Sequence, residues 1–249
     1  MRNFITIMTT ASKWFKSWFN TPYYHLLYNK RDYKEARFFM SNVVSYLKLK
    51  QGDSILDLAC GKGRHAIFLN SLGFNVTGID LSENSIYEAN KFKNDTLHFR
   101  VHDMRDPFIN KYDAIFNLFT SFGYFEDDNE DIKVLKNIKN GLKPNGIAVI
   151  DYLNVTKSIA HLVPQEIEKR GTIDFKISRF VKDGFINKTI HFNDGDKNFT
   201  FTEHVKCLDA NKFNRYLNEV GLKLIDCFGD YDLNPFNKNT SDRLILVIK

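Results

Sequence analysis

Three cysteines, Cys60, Cys207 and Cys227, are all that the 249 residues contain. They are scattered and odd in number, with no C-x-x-C pair. That excludes a disulfide-stapled scaffold and a thiolate-built structural zinc site, and it points to a reducing, cytoplasmic setting. Long apolar runs are also missing. Near the N-terminus the apolar residues are interrupted by Lys13 and Lys16, so neither a signal-peptide core nor a transmembrane span is expected there. Nor is there a block of charge of one sign. The net charge of +5 is mild and the lysines alternate with acids, which argues against nucleic acid as a partner.

What the chain does have is a series of short apolar runs that end in acids. Residues 54–60, Ser-Ile-Leu-Asp-Leu-Ala-Cys, read as a buried strand carrying Asp57. The turn Gly61-Lys62-Gly63 follows, and then a helix from Lys62 to Leu72. A second strand, Asn75 to Ile79, ends at Asp80, and a third, Leu97 to Val101, leads into Asp103-Met104. Strands at Tyr112–Leu118 and Ile147–Asp151 flank a helical stretch from Glu126 to Leu142. Strands alternating with helices predict an α/β fold with a mostly parallel, doubly wound sheet, whose ligands lie outside the carboxyl ends of the strands.

The segment Gly61-Lys62-Gly63-Arg64-His65-Ala66 satisfies G-x-G-x-x-A, the dinucleotide fingerprint. In such a site the helix N-terminus receives a pyrophosphate, which Asp57 at the end of the preceding strand would repel. Asp80, about 20 residues beyond the turn and at the end of the next strand, is placed to accept ribose hydroxyls. Carboxylates in these places suit a ligand that carries a ribose and a cation. Each acid, taken alone, also fits a helix N-cap.

Together these residues resemble a known family. Residues 57–63, Asp-Leu-Ala-Cys-Gly-Lys-Gly, are similar to the first motif of the class I S-adenosylmethionine-dependent methyltransferases of small-molecule type. Gly78-Ile79-Asp80-Leu81-Ser82 resembles the second strand end, Asp103-Met104 the adenine-contacting pair, and residues 142–147 the entry to strand five. The likeness spans about residues 52–152 in the family's order, with Ala59 where the family has its first glycine. It implies a Rossmann-like sheet with an antiparallel final strand, and S-adenosyl-L-methionine as cofactor. Asp57 would then hold the methionine ammonium, while Ala59, Gly61 and Gly63 bring backbone close to the ligand. Asp80 would take the ribose, Leu81 would face the adenine, Asp103 would meet its amino group, and Met104 would pack on the ring. Asn117, Leu118 and Phe119 would line the methionine end with strand-four backbone.

Residues 1–50 are expected to form an N-terminal helical lid on a methyltransferase domain over 51–249. Trp14, Phe15, Trp18 and Phe19 repeat at i and i+4, giving one aromatic helical face that either packs on the domain or meets a membrane surface or partner. A helical stretch follows from Lys34 to Leu49. By resemblance, a tyrosine-rich N-terminal segment closes over the cofactor, with Tyr24, Tyr28 and Arg37 as candidates and Arg37 pairing with the methionine carboxylate.

Beyond strand five the period changes to two. Residues 173–182, 185–193 and 198–208 alternate apolar and polar, with Asp183-Gly184 and Asp194-Gly195 between them as hairpin turns. This predicts an inserted antiparallel meander of three strands within 155–208, hung over the acceptor site and setting acceptor choice. Asp209 then caps a helix stopped by Gly221, and the segments 222–228 and 244–249 complete the sheet. Glu203 and His204 on opposite faces of a strand, and Tyr124 in the aromatic run 119–125, are the candidates for a catalytic base or hydroxyl. The resemblance favours a small-molecule acceptor such as an amine, amino acid or sugar amine, with the methylated atom (N, O or C) open. The transfer itself is an in-line displacement that rests chiefly on orientation. Two other readings stay open: an NAD(P)- or FAD-dependent oxidoreductase, and a catalytically silent module docking to membrane through the Trp14–Phe19 face.

Overall fold

Residues 54–58 pair with two neighbours at once, and that double pairing organises the molecule. The computed structural model of the chain describes residues 14–28 and 33–249; residues 1–13, Lys13 of the expected aromatic segment among them, and 29–32 lie outside the described residues. Strand β1 (Ser54–Leu58) runs parallel to β2 (Asn75–Asp80) on one side and to β4 (Tyr112–Asn117) on the other. With β3 (Leu97–Val101), β5 (Leu142–Leu153), β10 (Leu224–Phe228) and β11 (Arg243–Ile248), the order is β10-β11-β5-β4-β1-β2-β3. The chain reverses its direction of travel between β1 and β4, where doubly wound sheets open a ligand crevice. β11 is antiparallel to both of its neighbours, β5 and β10.

The strands follow from composition. Ile55, Leu56 and Leu58 of β1, and Ala114, Ile115 and Phe116 of β4, are buried on both faces, as parallel strands covered by helices require. Helices α4 (Arg64–Ser71), α5 (Glu83–Ala89) and α6 (Asp128–Gly141) fill the crossovers. Ser82 caps α5 by accepting from Ser85 N–H at 3.1 Å, and Asp127 caps α6 by accepting from Asn129 N–H at 2.9 Å. Helix α8 (Ala210–Val220) begins at the expected cap, Asp209, and stops at Gly221.

After α7 (Val155–Ala160) comes a second sheet, ordered β6-β7-β8-β9: β6 (Gln165–Arg170), β7 (Ile173–Lys182), β8 (Phe185–Asp194) and β9 (Lys197–Lys206). The sequence predicts three strands here, and the structure has four. β6 holds one apolar residue, Ile167, among polar ones, so its period-two signal is invisible. As an edge strand it is held by main-chain bonds to β7. The turn Asp183-Gly184 falls where expected, whereas the second turn is Gly195-Asp196, because Asp194 pairs with Lys197 inside the ladder.

Within the stretch 1–50, the described residues have two sets of neighbours. Helix α3 (Tyr33–Leu47) buries Phe39, Met40 and Val43 in the same core cluster as Ala66 and Leu69 of α4. Helices α1 (Trp14–Trp18) and α2 (Pro22–Leu27) instead join the core of the second sheet. Trp18 is fully buried and its ring lies 4.5 Å from that of Phe201 on β9. Trp14 is buried as well, edge-on to Tyr124 at 5.3 Å. The tryptophans of the aromatic face are therefore interior, and a membrane-docking role for them is corrected. Among the described residues no helix is long and apolar enough to cross a membrane, and no group of three or more His, Cys, Asp or Glu is spaced to hold a metal.

Candidate functional site

A cavity of about 340 Å³ opens at the carboxyl ends of β1 to β4, within the range of small-ligand sites. Three acids stand in a row along it: Asp57 on β1, Asp80 at the end of β2 and Asp103 just past β3, on three adjacent strands. Leu58, Ile79, Leu81 and Met104 give it an apolar wall, and Phe119, Tyr124 and Phe125 line it beyond β4. Phe15, Phe19, Tyr24, His25 and Tyr28, from the N-terminal helices and the residues just past their ends, form the remaining wall.

Each acid has a distinct environment. Asp57 is 1 % exposed, with Oδ2 accepting from Ala66 N–H at 3.1 Å and Oδ1 without a partner. Burial pushes its carboxyl up to about 7, helped by the nearby charge of Asp80 and opposed by the Ala66 hydrogen bond and by Arg64. Asp80 accepts from Gly61 N–H and Ser82 N–H, each at 2.8 Å, so it braces the glycine turn against the next loop. Its carboxyl is also raised by burial, against those bonds. Asp103 is clasped by Arg105, whose Nε donates to Oδ1 at 3.0 Å and whose second nitrogen donates to Oδ2 at 2.6 Å. Partial burial raises the Asp103 carboxyl, but the Arg105 bonds outweigh it and hold it below its ordinary value.

The turn after β1 is built from backbone. Ala59, with φ of 64°, and Gly61 line the cavity. Gly63 does not. It caps α4 at φ 80°, and a Cβ there would meet the Phe99 ring at 2.6 Å. Its expected approach to the ligand is corrected: it is glycine because of Phe99 and its positive φ.

Three further expectations change in the same way. Arg37 is exposed on α3 with its guanidinium 5.7 Å from the Phe68 ring, away from the cavity wall. The α3 face that meets the core is that of Ala36, Phe39 and Met40, and Arg37 falls beside it. Asn117 points its amide back into the sheet, donating to the Leu58 carbonyl at 3.0 Å, so Leu118 and Phe119 line the cavity without it. Glu203 and His204 lie outside the cavity. Glu203 accepts from Trp18 Nε1–H at 2.7 Å and from the Tyr28 hydroxyl at 2.6 Å, and Lys188 donates to that hydroxyl oxygen at 2.6 Å. Burial lowers the Lys188 ammonium despite the pull of Glu203. His204 meets the edge of Trp14, with ring centroids 6.1 Å apart, and burial lowers its imidazole. Of the three catalytic candidates only Tyr124 is on the wall, its hydroxyl donating to the Thr120 carbonyl.

Arg64, His65 and His25 stand at the site without a signal in the sequence pattern. The first two occupy variable positions of the glycine motif itself, where the pattern carries no residue preference. Arg64 lies over the Phe119 ring at 4.3 Å and His65 is stacked against that ring at 5.0 Å. His25 lines the cavity with Nε2 buried, and burial together with Lys62 lowers its imidazole to about 4. Its signal was submerged in a tyrosine-rich run.

Residues 49–220, more than half of the chain, match the family model described as a methyltransferase domain. The putative methyltransferase YqeM of Bacillus subtilis (strain 168) is 37 % identical over 120 residues, which is 47 % of this chain and 48 % of that protein, so the match spans about half the relative's length. A glycine/sarcosine N-methyltransferase of Halorhodospira halochloris is 27 % identical over 216 residues, covering 82 % of this chain and 76 % of the relative. The crystal structure of an S-adenosylmethionine-dependent methyltransferase from Clostridium acetobutylicum ATCC 824 superposes with a TM-score of 0.77 at 24 % identity, covering 91 % of this chain and 95 % of that one.

Proposed function

This chain belongs to the class I S-adenosylmethionine-dependent methyltransferases, and from that premise we propose that its cavity binds the methyl donor along Asp57, Asp80 and Asp103 and delivers the methyl group to a small amine. The observation that carries the reading is the row of acids against one apolar wall. Asp57 Oδ1, buried without a partner, suits a ligand ammonium; Asp80 suits ribose hydroxyls; Asp103, with Leu81 and Met104, suits an adenine. Arg64, on the wall beside Asp57, takes the role of carboxylate partner that Arg37 cannot fill.

When bound, S-adenosylmethionine supplies a methyl group already activated on a sulfonium, so no acid or base is compulsory. The protein's part is orientation and exclusion of water, where positioning is worth roughly 7–11 kcal/mol. Phe15, Phe19, Tyr24 and Tyr28 roof the cavity, and the Tyr124 oxygen can accept a hydrogen bond from an acceptor N–H. An amine acceptor is supported by the likeness to the glycine/sarcosine enzyme. A cytoplasmic setting is supported by three thiols that form no disulfide.

Calorimetry with S-adenosylhomocysteine and with NADH tests the cofactor. Binding of the first and not the second is expected, and the reverse overturns the proposal. A panel of glycine, sarcosine, other small amines and amino sugars, read by S-adenosylhomocysteine release, then tests the acceptor. Turnover confined to hydroxyl compounds would remove the amine.

A further inference from the structure

Behind the cavity wall lies an ion pair, buried at its carboxylate and largely so at its guanidinium, that the proposed chemistry does not use. Asp151, on β5, is 0 % exposed and accepts from Arg243 Nε at 2.7 Å. It also accepts, through Oδ2, from the Phe119 backbone N–H at 2.8 Å and from the Tyr231 hydroxyl at 3.3 Å. The other arm of the guanidinium donates to Thr120 Oγ1 at 3.0 Å, and Thr120 N–H donates to the Asp151 carbonyl at 2.9 Å.

Three of these bonds end on two successive residues with left-handed backbone, Phe119 at φ 56° and Thr120 at φ 62°. That conformation is rare outside glycine and asparagine, and a genuine outlier for a β-branched residue. Two in succession persist only where the surroundings over-determine them, and such residues cluster at ligand clamps. The corner carries the Phe119 ring to both His65, stacked against it at 5.0 Å, and Arg64, whose guanidinium lies over it at 4.3 Å. Arg64 is on the cavity wall; Asp151 and Arg243 are not.

We infer that Asp151 and Arg243 are positioning residues for the amino-acid end of the cofactor: they lock the Phe119–Thr120 corner, and the Phe119 ring in turn fixes Arg64 as the partner of a ligand carboxylate. The inference rests on the cofactor assignment proposed above. Arginine is needed at 243 because its fork reaches Asp151 and Thr120 together, which a lysine point charge does not.

Two probes separate this role from mere stability. S-adenosylhomocysteine carries the amino-acid group; 5′-methylthioadenosine lacks it. Arg243→Lys should weaken S-adenosylhomocysteine about tenfold and leave 5′-methylthioadenosine within about threefold. Because that variant disturbs a buried charge, Thr120→Val provides a milder test, removing only the hydroxyl while Asp151 and Arg243 stay paired. It should show the same selectivity with a smaller loss. Unchanged binding of both probes, or equal loss of both, in a folded variant overturns the inference. Arg64→Gln distinguishes the layers. It should cost S-adenosylhomocysteine at least tenfold, and no change would overturn the carboxylate assignment beneath the inference.

Discussion

The two sheets use their buried polar groups in opposite ways. At the ends of β1 to β3, Asp57, Asp80 and Asp103 are held largely by backbone N–H groups or a local arginine and still face a cavity. In the four-stranded sheet, Glu203 and Lys188 are directed inward and consumed by Trp18 and Tyr28 of the N-terminal helices. None of the described residues beyond Phe125 is on the cavity wall. The second sheet therefore reaches the site at one remove: it packs on α1 and α2, and these helices with the residues just past their ends supply Phe15, Phe19, Tyr24, His25 and Tyr28 to the wall. A strand can govern a pocket without touching it, by fixing the helix that does.

The comparison is most severely tested at Glu203. Glu203→Ala removes two hydrogen bonds to the N-terminal helices and leaves Lys188 buried without its carboxylate, which should cost about 3 kcal/mol in urea unfolding. Hydrogen exchange over residues 14–28 should rise with it, and a loss below about 1 kcal/mol with unchanged exchange would sink the anchoring role. Next in size is Asp80→Ala, expected to weaken S-adenosylhomocysteine by roughly 1.5–3 kcal/mol because a charged acceptor is lost. Unaltered affinity by calorimetry removes Asp80 from the ribose site.

Asp57 gives a pH signature. Its empty-state carboxyl, pushed up to about 7, keeps a proton that the unfolded chain has already released above its ordinary range near 4. The empty protein should thus lose stability as pH rises from about 4 to 7. A ligand ammonium favours the carboxylate, so S-adenosylhomocysteine affinity should climb by severalfold over about pH 5.5–7.5 and then level. Asp57→Asn should flatten both profiles, and a flat wild-type binding profile would show that Asp57 does not meet the ammonium. The smallest effect is expected at His204: its replacement by Ala should change S-adenosylhomocysteine affinity by no more than about 0.5 kcal/mol. A larger change would bring the second sheet into direct contact with the ligand.

How far the sequence could be read follows from what its patterns encode. Strand ends marked by Asp57, Asp80 and Asp103 were visible because hydrophobic runs and the acids that close them are local signals. β6 was not, since an edge strand held by its ladder needs no apolar period. Glu203 and His204 fall on opposite faces of a strand, yet sequence alternation does not say which face meets which neighbour. Trp18 and Tyr28, more than 170 residues away in the chain, decided it. Asp151 continues the series of strand-end acids, but only the pairing of β11 with β5 shows that Arg243, and not the cavity, receives it.

The place of β11 also bears on when the site comes into being. Domains form as the chain emerges from its N-terminus, at about 5–20 residues per second. The row of acids is complete once β3 and the loop after it have been made. Arg243, which braces Phe119 and Thr120, opens the strand that slides between β10 and β5, and so arrives more than a hundred residues later. From the synthesis of β5 until then, the nascent chain holds Asp151 without its partner, and the corner after β4 lacks its arginine brace. The lock on the corner beside Arg64 would thus close only with one of the last strands to be made, and would mark the moment of topological completion.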